Sequence, residues 1–111
     1  MNTQKFNEIL ESTIQKCRDT LKVKSSEYAT EDRLHNFKVA AEIQHCTPIT
    51  ALAGMMAKHT VSVYDLIQRN EQGLDVPMEL WDEKIGDSIN YLILLMALIR
   101  EDEDKPVNSN F

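Results

Sequence analysis

The stretch Val76–Arg100, VPMELWDEKIGDSINYLILLMALIR, decides the fold. Trp81, Ile85, Ile89, Leu92, Met96 and Ile99 recur at three- and four-residue steps, the spacing of a buried α-helical stripe. Glu79, Glu83, Asp87 and Asn90 recur at the same steps on another face. At about 100° per residue they fall within a sector of roughly 80°, and Gly86 lies with them. Three carboxylates in a column repel one another unless positive charge sits between them. Solvent counterions, nearby Lys and Arg, or a divalent metal with a phosphate behind it can all supply that charge.

Upstream, Asn70-Glu-Gln-Gly-Leu-Asp-Val-Pro is the clearest break: Gly73 suits a helix C-cap and Pro77 the first turn of the next helix. Before it, residues 48–70 read as a helix opened by Thr47-Pro48, with Ile49, Leu52, Ala53, Met56, Thr60, Val63 and Ile67 inside. A shorter helix is expected over about 32–46, capped by Thr30 or Asp32, with Leu34, Phe37, Ala40 and Ala41 inward. The first helix is expected over 3–21, with Phe6, Ile9, Leu10, Thr13, Ile14, Cys17 and Leu21 as its apolar face. Lys22-Val-Lys-Ser-Ser then suits a helix end. Residues 101–111 are acidic and then turn-rich, and read as a flexible tail.

These elements predict an all-α fold, a compact antiparallel bundle of about four helices over a single domain, residues 1–100. The last helix is apolar nearly all round from Tyr91 to Ile99, so one of its sides is expected to meet another subunit in a homo-oligomer, a dimer or higher. A net charge of −6 argues against direct nucleic-acid binding through a basic surface, and leaves room for a small phosphorylated ligand. The longest apolar run is too short to span a bilayer, and the N-terminus lacks the pattern of a signal peptide. Cys17 and Cys46 match no zinc spacing and make no disulfide framework, which fits free thiols in a reducing cytoplasm.

Glu83 and Asp87 stand one helical turn apart, so their carboxylates can converge on one Mg²⁺, which favours one or two carboxylates, waters and phosphate oxygens. Acidic pairs at this spacing are also common on solvated helix faces. Asn90 extends the column with a neutral hydrogen-bonding group. On the second helix His35, Lys38 and Glu42 share a face: Glu42 can complete a metal site and Lys38 can bind phosphate, or the two form an ordinary surface pair. His59, beside Lys58 at the edge of the third helix's inner stripe, is a core-edge histidine or a group facing phosphate. Arg33 and Asn36 sit in the polar segment with Tyr28, which stacks on a base or pins the loop. His45, next to Cys46, is expected to serve the helix end.

The segments EYATEDRLHNFKVAAE, ALAGMMAKHTVSVYDL and WDEKIGDSINYLILL resemble small phage-type proteins related to the all-α NTP pyrophosphatase superfamily, the MazG and dimeric dUTPase group. The resemblance covers about residues 24–100 and is strongest where Glu83 and Asp87 precede an apolar run. It implies an oligomeric helical bundle that hydrolyses a nucleoside triphosphate to the monophosphate and pyrophosphate with Mg²⁺, in the cytoplasm of a phage-infected bacterial cell. Glu83, Asp87 and Glu42 would hold the metal, with Lys58 and His59 on the phosphates. The superfamily's E-E-x-x-E pattern is absent, and the last helix's acidic pair is spaced one residue wider than the usual E-x-x-D. A non-catalytic nucleotide binder that sequesters a host nucleotide signal, using Lys58, His59, Arg33 and Asn90 without obligatory metal, therefore stands beside the enzyme. An oligomeric structural or interaction protein with a solvated acidic column is the third reading.

Overall fold

Four helices, with no strand among the described residues, make up the computed structural model, which describes residues 1–27 and 32–104. They are α1 (Thr3–Glu27), α2 (His35–Gln44), α3 (Pro48–Glu71) and α4 (Met78–Glu103). Tyr28, the Thr30 cap and residues 105–111 of the expected tail lie outside the described residues.

Local chemistry sets most boundaries. The Thr47 hydroxyl accepts the Thr50 backbone N–H at 3.2 Å and Pro48 opens α3, as the sequence predicts. Gly73 follows the end of α3 in the left-handed region at φ 76°, where a side chain would be strained. His45 closes α2 in the same region, at φ 55° and ψ 47°. The following Cys46 N–H bonds back to the Ala41 carbonyl at 3.0 Å. The helix-end role expected of His45 is thus the observed one.

Other ends differ from expectation. Nothing in Lys22–Glu27 forbids helix, and α1 continues through it. Asp32 does not cap α2 at its own position; its carboxylate accepts the Leu34 N–H at 2.9 Å and makes a turn, so the helix begins at His35. At the other end α4 runs to Glu103, into the stretch read as tail. Glu101 is held there by the Lys38 ammonium.

Packing departs from a compact bundle. Helix α4 lies between α1 and α3, and α2 rests on α3, with no backbone packing of α1 against α2 or α3. Helix α1 runs parallel to α4, not antiparallel. Going up both helices together, Ile9 lies by Met78 and Trp81, Lys16 Nζ meets Asp82 Oδ2 at 2.7 Å, Cys17 Sγ lies 3.9 Å from the Gly86 carbonyl, and Leu21 reaches Ile93. The radius of gyration is 17.3 Å, against about 13 Å for a compact domain of this length. The accessible surface is 8466 Å², roughly 2,200 Å² more than a compact monomer of this mass exposes.

The core sits at one end. Leu34, Phe37, Leu52 and Leu98 are buried together, with Ile49, Met55, Met56, Tyr91, Leu94 and Leu95 packed against them. As expected, Leu34, Phe37 and Ala41 of the α2 region face inward. The stripe assigned to α4 does not: Ile85, Leu92, Met96 and Ile99 are exposed, and the packed face carries Asn90, Tyr91, Leu94 and Leu98 instead. In α3 the packed side likewise shifts toward Ala51, Leu52 and Leu66, leaving Ile67 exposed. Phe6, Ile9, Leu10 and Ile14 of α1 are also uncovered, Phe6 at 57%. Cys17 is the one strongly buried residue of α1's described side chains, at 4% exposure. Burial first, and then the charge of Asp87, push its thiol pKa above the usual 9.0.

Candidate functional site

A cavity of about 600 Å³ opens where α2 crosses the α3–α4 pair, with Leu21 of α1 at its edge. That volume is typical of small-ligand sites. Helix α4 supplies Asp87, Asn90, Tyr91 and Leu94, which its periodicity places on one side. Helix α3 supplies Met55, Lys58 and His59, one turn of helix. From α2 come Phe37 with the exposed His35 and Asn36.

The acidic column of α4 enters this cavity by degrees. Glu79 is exposed, and Glu83 has 61% of its side chain in solvent, with only Lys84 Nζ near it at 3.9 Å. Asp87 is 28% exposed and faces His59, Oδ2 to Nδ1 at 3.6 Å. That distance is beyond hydrogen-bond reach. The His59 ring lies over Tyr91, centroids 4.7 Å apart and tilted by 32°. Tyr91 in turn meets Phe37 edge-on at 6.2 Å. These contacts fix the imidazole between a carboxylate and an aromatic face.

Asn90 is the innermost polar group. It is 6% exposed, and its Oδ1 is buried with no hydrogen-bond partner. Stranding an acceptor in this way costs about 1–3 kcal/mol, and folded proteins rarely leave one without a purpose. A leucine there would pack without that cost.

Of the residues singled out in the sequence, the structure brings together Asp87, Asn90, Lys58, His59 and Asn36. It sets Glu83, Glu42, Lys38 and Arg33 outside that lining. Glu42 is exposed and does not line the cavity. Lys38 turns away from it to Asp32 Oδ2, at 2.7 Å, and to Glu101. Its hydrogen bond to Asp32 raises the Lys38 pKa above 10.5, and the same bond lowers that of Asp32 below 3.8. Arg33 lines a different hollow, with Asp32, Arg100 and Glu101. His35 reaches the cavity although its expected companions Lys38 and Glu42 do not. Tyr91 joins the site without having been expected there; its position one turn beyond Asp87 and beside Asn90 is the signal that the sequence carries.

Among the described residues no group of three His, Cys, Asp or Glu side chains is placed to hold a metal ion. Of the donors expected for Mg²⁺, Asp87 faces His59 and Glu83 stands largely in solvent beside Lys84. Gly86 of the same column has open space beside it, since a Cβ there would meet nothing within 4 Å. No family model matches the chain, and no curated protein or solved structure matches it either.

Proposed function

We propose that this chain binds a nucleotide, or a phosphorylated molecule built like one, in the cavity between α2, α3 and α4, and does so without an obligatory metal. The observation that carries the reading is the gathering of Lys58, His59, Asp87, Asn36 and Asn90 around a single cavity of ligand size. Lys58, exposed at the rim, offers a point charge to phosphate, and His59 adds a donor braced by Asp87. The Glu83–Asp87 pair supports metal-assisted hydrolysis less well, because one member is engaged by His59 and the other is in solvent.

The protein acts as a homo-oligomer in this reading. The uncovered apolar side chains of α1 and of the outer face of α4 support it, and the excess of roughly 2,200 Å² per chain is ample for the roughly 800 Å² that each partner of a standard interface buries. No helix of the described residues is long and apolar enough to cross a membrane. Free Cys17 and Cys46 support a reducing, cytoplasmic setting.

Thermal unfolding with a panel of nucleoside triphosphates and cyclic dinucleotides, each with EDTA and with Mg²⁺, tests the proposal. A ligand at a hundred times its Kd should stabilise by about 2.7 kcal/mol, and in EDTA as well. A shift that needs both Mg²⁺ and a triphosphate, accompanied by pyrophosphate release, would replace the binder with a Mg²⁺-dependent pyrophosphohydrolase. No shift with any nucleotide, with or without Mg²⁺, would end both readings.

A further inference from the structure

Resting on the nucleotide reading above, we infer that the ligand enters base-first: the side-chain amide of Asn90 reads the hydrogen-bonding edge of the nucleobase, and the phosphates stay at the rim with Lys58. Three observations converge on this arrangement.

The first is the stranded acceptor. Asn90 lines the cavity, is almost fully buried, and leaves its Oδ1 without a partner. The missing partner must be a donor, and every nucleobase carries an N–H donor on its edge beside an acceptor. A carboxamide, with an acceptor and donors side by side, is complementary to such an edge. Phosphate oxygens are acceptors and cannot satisfy Oδ1.

The second is burial. Phe37, Met55, Tyr91 and Leu94 line the cavity with Asn90 and belong to the core or pack on it. Lys58, the cavity's positively charged side chain, is exposed, as are His35, Asn36 and the apolar Val39 and Ile43. A flat aromatic base gains by leaving water for the buried walls, whereas a phosphate placed among them would lose its hydration away from the exposed ammonium.

The third is the sign of the charge beside Asn90. Asp87 lies one turn before Asn90 on the same helix and is the cavity's only carboxylate among the described residues. It repels a phosphate group moving inward and leaves a neutral base unopposed.

The test measures binding of the four ribonucleoside triphosphates and of inorganic tripolyphosphate in EDTA, by calorimetry and thermal shift, on the full chain. The wild type should bind its preferred nucleotide at least tenfold more tightly than tripolyphosphate. Asn90→Leu should raise the melting temperature of the ligand-free protein by a few degrees, because the stranded acceptor is gone. It should also bring the four nucleotides to within about threefold of one another and leave tripolyphosphate binding unchanged. Asn90→Asp, which keeps the shape and removes the donors, should change the order of preference and serves if the leucine variant fails to fold. Lys58→Ala should weaken nucleotides and tripolyphosphate alike and preserve the base ranking. An unaltered ranking in both Asn90 variants, or tripolyphosphate binding as tightly as any nucleotide, would overturn the base-first arrangement while the nucleotide reading survives. Absence of binding by every ligand would remove that reading, and this inference with it.

Discussion

The two ends of this molecule use the same kind of sequence to different effect. At the α2–α3–α4 end, apolar side chains from three helices close on one another: Leu52 is fully buried, and Phe37 and Leu98 nearly so. At the α1 end, a stripe with the same periodicity meets only one helix. Ile9 and Ile14 border hollows against α4, and Phe6 and Leu10 stay in solvent. A helical stripe records that something must cover it, and says nothing of whether the cover comes from the same chain.

The largest expected difference between the ends is in truncation. Leu52→Ala should cost about 2–5 kcal/mol in urea unfolding, the range for emptying a packed core site. In a dilute sample of single copies Phe6→Ala should cost no more than about 0.5 kcal/mol, as surface changes do. A cost at Phe6 that matches Leu52 would mean that α1 is covered in solution.

Next in size is assembly. With Phe6→Asp and Leu10→Asp together, sedimentation should find a particle of one 12.8 kDa chain where the unaltered protein is larger. An unaltered protein that already sediments as one chain would break the oligomer proposal and leave α1 a bare arm.

A smaller effect separates covered from open backbone. Gly86→Ala should stabilise the protein by about 1 kcal/mol, because alanine is the better helix former and its methyl meets nothing within 4 Å. A loss of stability that grows with protein concentration would place another copy's backbone against Gly86.

The smallest effect belongs to the Asp32–Lys38–Glu101 cluster at the cored end. The Asp32 pKa is lowered, so its contribution is present above its ordinary value of 3.8 and fades as pH falls through the folded-state value. The Lys38 pKa is raised, so its contribution is present below 10.5 and fades as pH rises through the folded-state value. A difference in melting temperature between the native protein and Lys38→Met should therefore be flat near neutrality and shrink on both flanks. More than a third of each of these side chains is exposed, so salt should shrink it too.

How far the sequence discloses this molecule can be followed residue by residue. Helix order and the α3 boundaries are readable, because Thr47-Pro48, Gly73 and Pro77 each act through local backbone chemistry. The packed face of α4 is not, since Leu92 and Met96 are as apolar as Leu94 and Leu98 and periodicity cannot rank them. The parallel course of α1 was equally hidden, because an apolar stripe does not state the direction of the helix that covers it. At the candidate site, Asp87 and Asn90 are legible as members of a column, and Lys58 and His59 as polar residues at a core edge. Lys38 and Glu42 misled because sharing a face of α2 does not say which face the cavity sees; Asp32 and Glu101 draw Lys38 the other way.

Cys17 gives the boundary between the two ends a built-in reporter. Its side chain is buried against α4 and its thiol pKa is pushed up by that burial, while Cys46 is partly open to solvent. Reagent should therefore modify Cys46 at once and reach Cys17 only when α1 swings off its neighbour. The lag between the two additions, followed by mass spectrometry, is a direct clock for how often the arm lets go, and it should lengthen in any assembly that clamps α1 in place.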